Sequence, residues 1–276
     1  MIYLLINYAR SGGTLFSKII ASQNNVVLLS EVNPNHNAVY SPAQQANLWY
    51  QLNIDENLSY QDQVKEIYQK CKQQNKTLVI RDFTFIDFTP HQINNFNPKK
   101  VFSNYEVIKQ IAPVTAVAFV RNAIDVWISR DCPPKFSEGY LEYINFLMKE
   151  KIPIFKYEEF TKNPEGFLIE FGKTWAISDL SYSNKMLNYQ KVTGDNQLQK
   201  PSRGSNQRTI RPLKRKQLAK QLITQLHNDI FLLEANNLIA YPTNYQENLE
   251  SKHTQFWLNL KHRIRKLKGS YPSAEY

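Results

Sequence analysis

Residues 1–23, "MIYLLINYARSGGTLFSKIIASQ", decide the fold. Ile2–Ile6 is an apolar run of strand length without clean alternation, the pattern of a strand buried on both faces. Thr14–Ser22 is spaced like a helix, and the turn between them is small and polar. A strand, a glycine turn and a helix bring free backbone N–H groups and the positive end of a helix dipole to one point, an anion cradle. The nucleoside-triphosphate form of this cradle needs a Lys directly after its last glycine. Here Thr14 follows Gly13, and the first lysine, Lys18, lies a helical turn further on, where it points along the helix. "TLVIRD" (77–82) imitates a magnesium-holding strand end only weakly. Kinase chemistry is therefore disfavoured, whereas a phosphate-bearing donor that needs no metal is not.

Outward from this stretch, Val26–Leu29, Thr77–Ile80, Val114–Val120 and Ile152–Lys156 repeat the buried-strand pattern. Helical patterns at 42–52, 60–73, 106–111 and 138–149 separate them. Strands alternating with helices predict an α/β fold, a three-layer parallel sheet flanked by helices, with right-handed crossovers. After Pro164 the chain reads mostly helical, with Leu218, Leu222, Leu226, Ile230 and Leu233 as one long amphipathic stripe. The first strand ends in Arg10-Ser11, the second in Ser30-Glu31, the third in Arg81-Asp82 and the fourth in Arg121-Asn122. In a parallel sheet these ends share one edge, where ligands of open α/β folds bind. Three arginines and two carboxylates are thus expected at one rim.

The chain has 276 residues, 42% of them hydrophobic, enough for one sizeable core. No apolar run reaches a membrane-spanning length, and the start lacks a signal peptide's features, so a soluble protein is expected. Cys71 and Cys132 form no metal or redox motif; as free thiols they fit a reducing cytoplasm. The net charge of +10 is local: residues 199–216 carry +7 and residues 250–276 carry +4, leaving the rest at −1. Concentrated positive charge reads as an anion site or a docking surface.

"YARSGGTLFSKIIAS" (8–22) resembles the 5′-phosphosulfate loop of the sulfotransferases, a basic residue followed by Ser-Gly-small-Thr and Leu. "AFVRNAIDVWISR" (118–130) resembles their 3′-phosphate motif, in which an Arg and a Ser stand eight positions apart, as Arg121 and Ser129 do. The resemblance covers residues 1–35, 115–130 and, more loosely, 153–160 and 193–211. It implies a P-loop-like fold and the donor 3′-phosphoadenosine 5′-phosphosulfate (PAPS), leaving adenosine 3′,5′-bisphosphate as product, with no metal. It further implies that Arg10, Ser11, Gly12, Gly13, Thr14 and Leu15 hold the 5′ end, and that Arg121 and Ser129 hold the 3′-phosphate. "KPSRGSNQR" (200–208) resembles the basic segment that closes over the 3′-phosphate, which brings in Arg203 and Gly204, although the family's Arg-Lys-Gly wording is absent. "FKYEEF" (155–160) matches a stretch whose role is read as structural.

The residues fit the chemistry on their own account. Charge building on a departing phosphate oxygen is stabilised by Arg10 and the amides of Ser11–Thr14, and a guanidinium such as Arg121 grips a phosphate with two prongs. An attacking hydroxyl needs a general base. Glu31 is the first candidate, since the protein-tyrosine branch places a Glu after this strand; His36, His91 and Asp82 stay open, and Glu31 could instead pair with Arg10 or Arg81. The domain is expected to span residues 1–249, followed by a basic amphipathic helix at 251–268 and a loose tail. That helix either caps the domain or makes peripheral membrane contact. Without aromatics, residues 201–216 do not read as a nucleic-acid surface. A non-catalytic nucleotide- or polyanion-binding module is the rival function. The acceptor (glycan, tyrosine, lipid or small alcohol) and the oligomeric state are left open by the sequence.

Overall fold

The computed structural model describes residues 1–37, 39–89, 99–130, 132, 135–177, 180–193, 209–218 and 222–244. Five strands, β1 (Ile2–Ile6), β2 (Val26–Val32), β3 (Thr77–Asp82), β4 (Val114–Val120) and β5 (Ile154–Lys156), form one sheet in the order β2-β3-β1-β4-β5. Every pairing among them is parallel. The helices are α1 (Gly13–Ala21), α2 (Pro42–Tyr50), α3 (Tyr60–Gln73), α4 (Phe85–Phe88), α5 (Ser103–Lys109), α6 (Ala123–Ser129), α7 (Phe136–Lys149), α8 (Tyr157–Lys162), α9 (Pro164–Trp175), α10 (Ile223–His227) and α11 (Ile230–Leu238). The expected α/β layering is what is observed.

Side chains alternate across the sheet, and each set is buried by its own helices. Leu5, Val26 and Leu28 pack with Phe16, Ile19 and Ile20 of α1 and with Phe167, Leu168, Phe171 and Trp175 of α9. Leu4, Ile6, Val27 and Leu29 pack on the other face with residues of α3, α5, α6, α7 and α11. The connection leaving β1 therefore runs to one face, while those leaving its neighbours β3 and β4 run to the other. Such a switch opens a crevice at the carboxyl end of β1, the place where open α/β sheets bind ligands.

Three expectations are corrected. The stripe from Leu218 to Leu233 is not one helix. The chain breaks at Asn228-Asp229, where the Asp229 carboxylate accepts from the Leu232 amide and from Ser137 Oγ, capping α11. That break changes the helical phase, so Ile230 is 65% exposed while Leu226 and Leu232 are fully buried. Glu31 does not follow β2 but lies within it as a bulge: Ser30 pairs with Arg81, Val32 with Asp82, and Glu31 with nothing, at a φ of 56°. Asp82, finally, does not join Arg81 at the rim. Consecutive strand residues face opposite sides, and Asp82 is 1% exposed, accepting from Asn33, Asn104 and Thr84. The basic segment's residues 194–208, His91 and the expected helix at 251–268 lie outside the described residues.

Candidate active site

The turn after β1 is built around Gly12, which caps α1 in a left-handed conformation at φ 88° with no side-chain hydrogen bond. The first-turn amides of α1 are thus left unclaimed by a cap, whereas α2, α3 and α9 are each capped by a Ser or Asn side chain. Only glycine fits: a Cβ on Gly12 would sit 2.3 Å from Cδ2 of Tyr157, and one on Gly13 would sit 2.1 Å from the Asn7 side-chain oxygen. Arg10 is half-buried at φ 75°, a conformation that costs a bulky residue about 1 kcal/mol or more. Ser11 is fully buried, and its Oγ has no hydrogen-bond partner. Leu15 packs its side chain against the α1–α9 cluster, so only its amide can serve the loop. Lys18 turns away, donating from Nζ to the Leu187 carbonyl at 3.1 Å.

The turn after β4 lies beside it, since β1 and β4 pair along five residues. Arg121 is 6% exposed, and its guanidinium lies 5.0 Å from the centre of the Tyr157 ring. That ring is the one lying against Gly12, so a single side chain at the end of β5 joins both turns. One terminal nitrogen of the guanidinium is 3.7 Å from the Asp125 carboxylate and its buried Nε is 4.0 Å from Glu158, too long for hydrogen bonds, so Nε has no hydrogen-bond partner. Ser129 closes α6 with its Oγ buried and unpartnered as well. Arg121 precedes the helix, whose first amides are capped by Asn236 and Asn122. Of the buried polar atoms without a hydrogen-bond partner among the described residues, Ser11 Oγ and Arg121 Nε belong to two adjoining turns and Ser129 Oγ to the last residue of α6. Buried polar groups left without partners are rare in folded proteins and call for a ligand or another explanation.

Arg81 organises the other side of the crevice. Its Nε donates to Asn7 Oδ1 at 2.9 Å, one terminal nitrogen to Thr14 Oγ1 at 3.2 Å, and the other to Glu31 Oε1 at 2.6 Å. Thr193 Oγ lies 3.0 Å from Glu31 Oε2 and 2.8 Å from Ser30 Oγ. Both oxygens of the Glu31 carboxylate are thereby fixed beside the anion loop. The pairing with Arg81 foreseen as the alternative for Glu31 is present, whereas Asp82 belongs to a buried network behind it. There Asn33 Nδ2 bridges Asp82 and Asp87, Asn35 bonds Asp87, and Ser103 closes the ring. Burial, with Asp87 alongside, pushes the Asp82 carboxyl up to about 7. His36 is half-buried beside Phe83, their ring centres 6.2 Å apart.

No protein-family profile and no curated protein sequence matches the chain. Among solved structures, the sulfotransferase domain from the curacin biosynthetic pathway superposes with a TM-score of 0.57 at 16% identity, over 87% of this chain and 98% of that one. The fold is that of the sulfotransferases. The sulfotransferase domain of the Synechococcus PCC 7002 olefin synthase overlays less closely, with a TM-score of 0.45 at 13% identity over 87% of this chain and 94% of that one. Mouse sulfotransferase SULT7A1, solved complexed with PAP, gives 0.35 at 12% identity over 98% of this chain and 85% of that one.

Within this sulfotransferase fold the predicted residues fall at neighbouring strand ends: Glu31, Arg81, the Arg10–Leu15 loop and Arg121 follow the spatial order β2-β3-β1-β4. Arg203 and Gly204 lie outside the described residues. Sequence reasoning missed the bracing by Asn7 and Thr193 and the joining role of Tyr157, which the "FKYEEF" match had left as merely structural. It also missed Asp125, whose carboxylate takes Arg215 Nε at 3.0 Å and the Lys216 amide at 2.9 Å, pinning the basic segment's far end beside Arg121. Among the described residues, no group of three or more His, Cys, Asp or Glu could hold a metal ion. No described helix is long and apolar enough to cross a membrane.

Proposed function

We propose that the protein is a PAPS-dependent sulfotransferase moving a sulfuryl group to a hydroxyl or amine by in-line transfer. The observation that carries this reading is a set of buried polar atoms without a hydrogen-bond partner, Ser11 Oγ and Arg121 Nε on the two adjoining turns and Ser129 Oγ at the end of α6. Ser11 follows β1 and Arg121 follows β4, and these two strands are neighbours in the sheet. When bound, PAPS supplies the sulfuryl group and a bisphosphate leaving group.

The chain's own residues do the rest. Arg10 and the first-turn amides of α1 stabilise charge on the 5′-phosphate side, where preorganised donors contribute most because they need no rearrangement. Arg121 and Ser129 hold the 3′-phosphate, with Arg203 and Gly204 assigned to the same end by resemblance. Glu31 takes the proton of the attacking hydroxyl, its carboxylate aimed by Arg81 and Thr193. Arg81 also touches Thr14, so base and anion loop are fixed to one another. As Glu31 takes up the proton its hold on Arg81 weakens, freeing positive charge next to the loop as negative charge grows there. Nothing in this scheme calls for a metal, and a reducing cytoplasmic setting fits the free Cys71 and Cys132.

Calorimetry with adenosine 3′,5′-bisphosphate tests the donor assignment. Wild type is expected to bind it, and Arg10→Ala and Arg121→Ala to lose affinity by about tenfold or more, the worth of a charge-assisted hydrogen bond. Equal, weak binding by all three proteins would leave only an anion-binding module.

A further inference from the structure

Five described arginines are not exposed: Arg10, Arg81, Arg121, Arg130 and Arg215. Arg81 pairs with Glu31, and Arg121 and Arg215 face Asp125. Arg10 belongs to the anion loop. Arg130 has no carboxylate among the described residues, and its Nε is buried without a hydrogen-bond partner. Its guanidinium lies over the Phe85 ring at 4.7 Å. The ring and the carboxyl end of α6 offset part of the cost of removing that charge from water. Neither offers an acceptor to the orphaned Nε–H, and an unmet buried donor on a cation is expensive.

The position of Arg130 says what kind of anion it awaits. The helix α6 leaves the end of β4 at Asn122 and carries the chain to Arg130, whose guanidinium reaches Phe85, just beyond the end of β3. The Arg130 guanidinium thus stands near the carboxyl end of β3, the strand between β1 and β2. Phe85 packs edge-on to Phe83 at 4.9 Å, and Phe83 lies beside His36, on the segment that follows Glu31. Phe85 also meets the ring of Tyr8, which opens the anion loop, at 6.3 Å. The cation therefore stands at one end of an aromatic row whose other end, His36, lies five residues beyond Glu31 in the chain. Arg121 stands just before the same helix, at the end away from Arg130, and Ser129, which is read with it on the 3′-phosphate, is Arg130's neighbour in the chain.

We propose that Arg130 reads an anionic group, a carboxylate or a phosphate, on the sulfuryl acceptor, so that the acceptor is a hydroxy compound carrying its own negative charge. This rests on the sulfotransferase reading above and adds the substrate class to it. A guanidinium presents a fixed fork suited to either oxyanion, and Phe85 holds that fork from below. An acceptor lacking the anion leaves Nε–H unmet, the arrangement by which polar sites reject analogues most strongly.

The test follows the Nε–Hε resonance of Arg130 by nitrogen-15 NMR, assigned by its loss in Arg130→Lys. The protein is first saturated with adenosine 3′,5′-bisphosphate, so that added anions cannot occupy the nucleotide's phosphate sites. Inorganic phosphate and acetate are then titrated separately. A saturable shift of the Arg130 resonance is expected with at least one of them, and Arg130→Met is expected to bind that anion at least about tenfold more weakly. A response to phosphate alone assigns a phosphorylated acceptor, and a response to acetate a carboxylated one. An Arg130 resonance that moves with neither overturns the proposal. So does one that moves only when nucleotide is absent, since the anion is then visiting the donor's site. Failure of the nucleotide itself to bind is read in the first titration and removes the donor assignment instead. On the catalytic side, 4-hydroxyphenylacetate is expected to be sulfated at least about tenfold more efficiently than its methyl ester, a preference lost in Arg130→Met.

Discussion

One methyl group placed between the two turns tests how they depend on each other. In Gly12→Ala the new carbon would lie 2.3 Å from Cδ2 and 2.4 Å from Cε2 of Tyr157. Carbon atoms rest at about 3.5–4.0 Å, so the ring has to retreat by roughly 1 Å or more. The substitution also places Ala at φ +88°, which costs about 1–2 kcal/mol for a residue with a Cβ. Overpacking adds about 1–3 kcal/mol, and the two together give a loss of about 2–5 kcal/mol. Because Arg121 lies on the same ring, the displacement reaches the other turn. Affinity for adenosine 3′,5′-bisphosphate is therefore expected to fall about tenfold or more although Gly12 has no side chain to contact it. Urea unfolding and calorimetry measure the two effects. Tyr157→Leu removes the ring edge, so the overpacking part of the Gly12→Ala cost should shrink in that background while the backbone part remains. Unchanged stability and affinity in the single variant, or strictly additive costs in the double variant, would refute the idea that Tyr157 couples the two turns.

Further outcomes follow from individual residues. Glu31→Gln keeps the Arg81 contact through its amide oxygen while its NH2 group donates to Thr193 Oγ, so nucleotide affinity should hold while sulfuryl transfer drops about 100-fold or more; retained turnover would pass the base role to His36 or His91. Asp82 has its carboxyl raised from 3.8 to about 7 by burial and by Asp87, so the folded state keeps a proton that the unfolded state has released. Stability is therefore highest on the acid side and falls as pH rises from about 4 through about 7; Asp82→Asn should flatten this fall and gain stability at pH ~8, and an unaltered slope would contradict the assignment. Burial also pushes the Cys71 thiol up to about 12, so at pH ~8 it should resist thiol reagents until the protein is unfolded. A chelator should leave the binding of adenosine 3′,5′-bisphosphate unchanged, because the phosphate partners assigned here are arginines, hydroxyls and amides.

The sheet was legible because buried parallel strands advertise themselves as apolar runs: Ile2–Ile6 and Val114–Val120 have the bounds that the sequence predicts. The tight turn after β1 was equally legible, since Gly12 and Gly13 are dictated by backbone conformation and close approach, which only glycine satisfies. Depth and direction were harder. Nothing local separates Arg81, which faces the crevice, from Asp82, which faces Asn33 and Asn104; the register of β3 against β2 decides which side each takes. Glu31 was found by its place near a strand end, but the bulge that frees it from the ladder depends on the pairing of Ser30 and Val32. Thr193 lies 162 residues from Glu31 and carries no motif, so its contact arises only from the folded chain. The long leucine stripe misled because hydrophobic spacing alone does not report a cap: α10 ends at His227, and the Asp229 side chain starts α11.

The central claim is that the turn bearing Arg10 and the turn bearing Arg121 grip opposite ends of one nucleotide. Calorimetry with adenosine 5′-monophosphate and adenosine 3′-monophosphate, on wild type, Arg10→Ala and Arg121→Ala, tests it most directly. The prediction is a crossed pattern, in which Arg10→Ala weakens the 5′-phosphate compound and spares the 3′ one, and Arg121→Ala does the reverse. If both substitutions weaken both ligands alike, or neither ligand at all, the two turns do not divide a nucleotide between them.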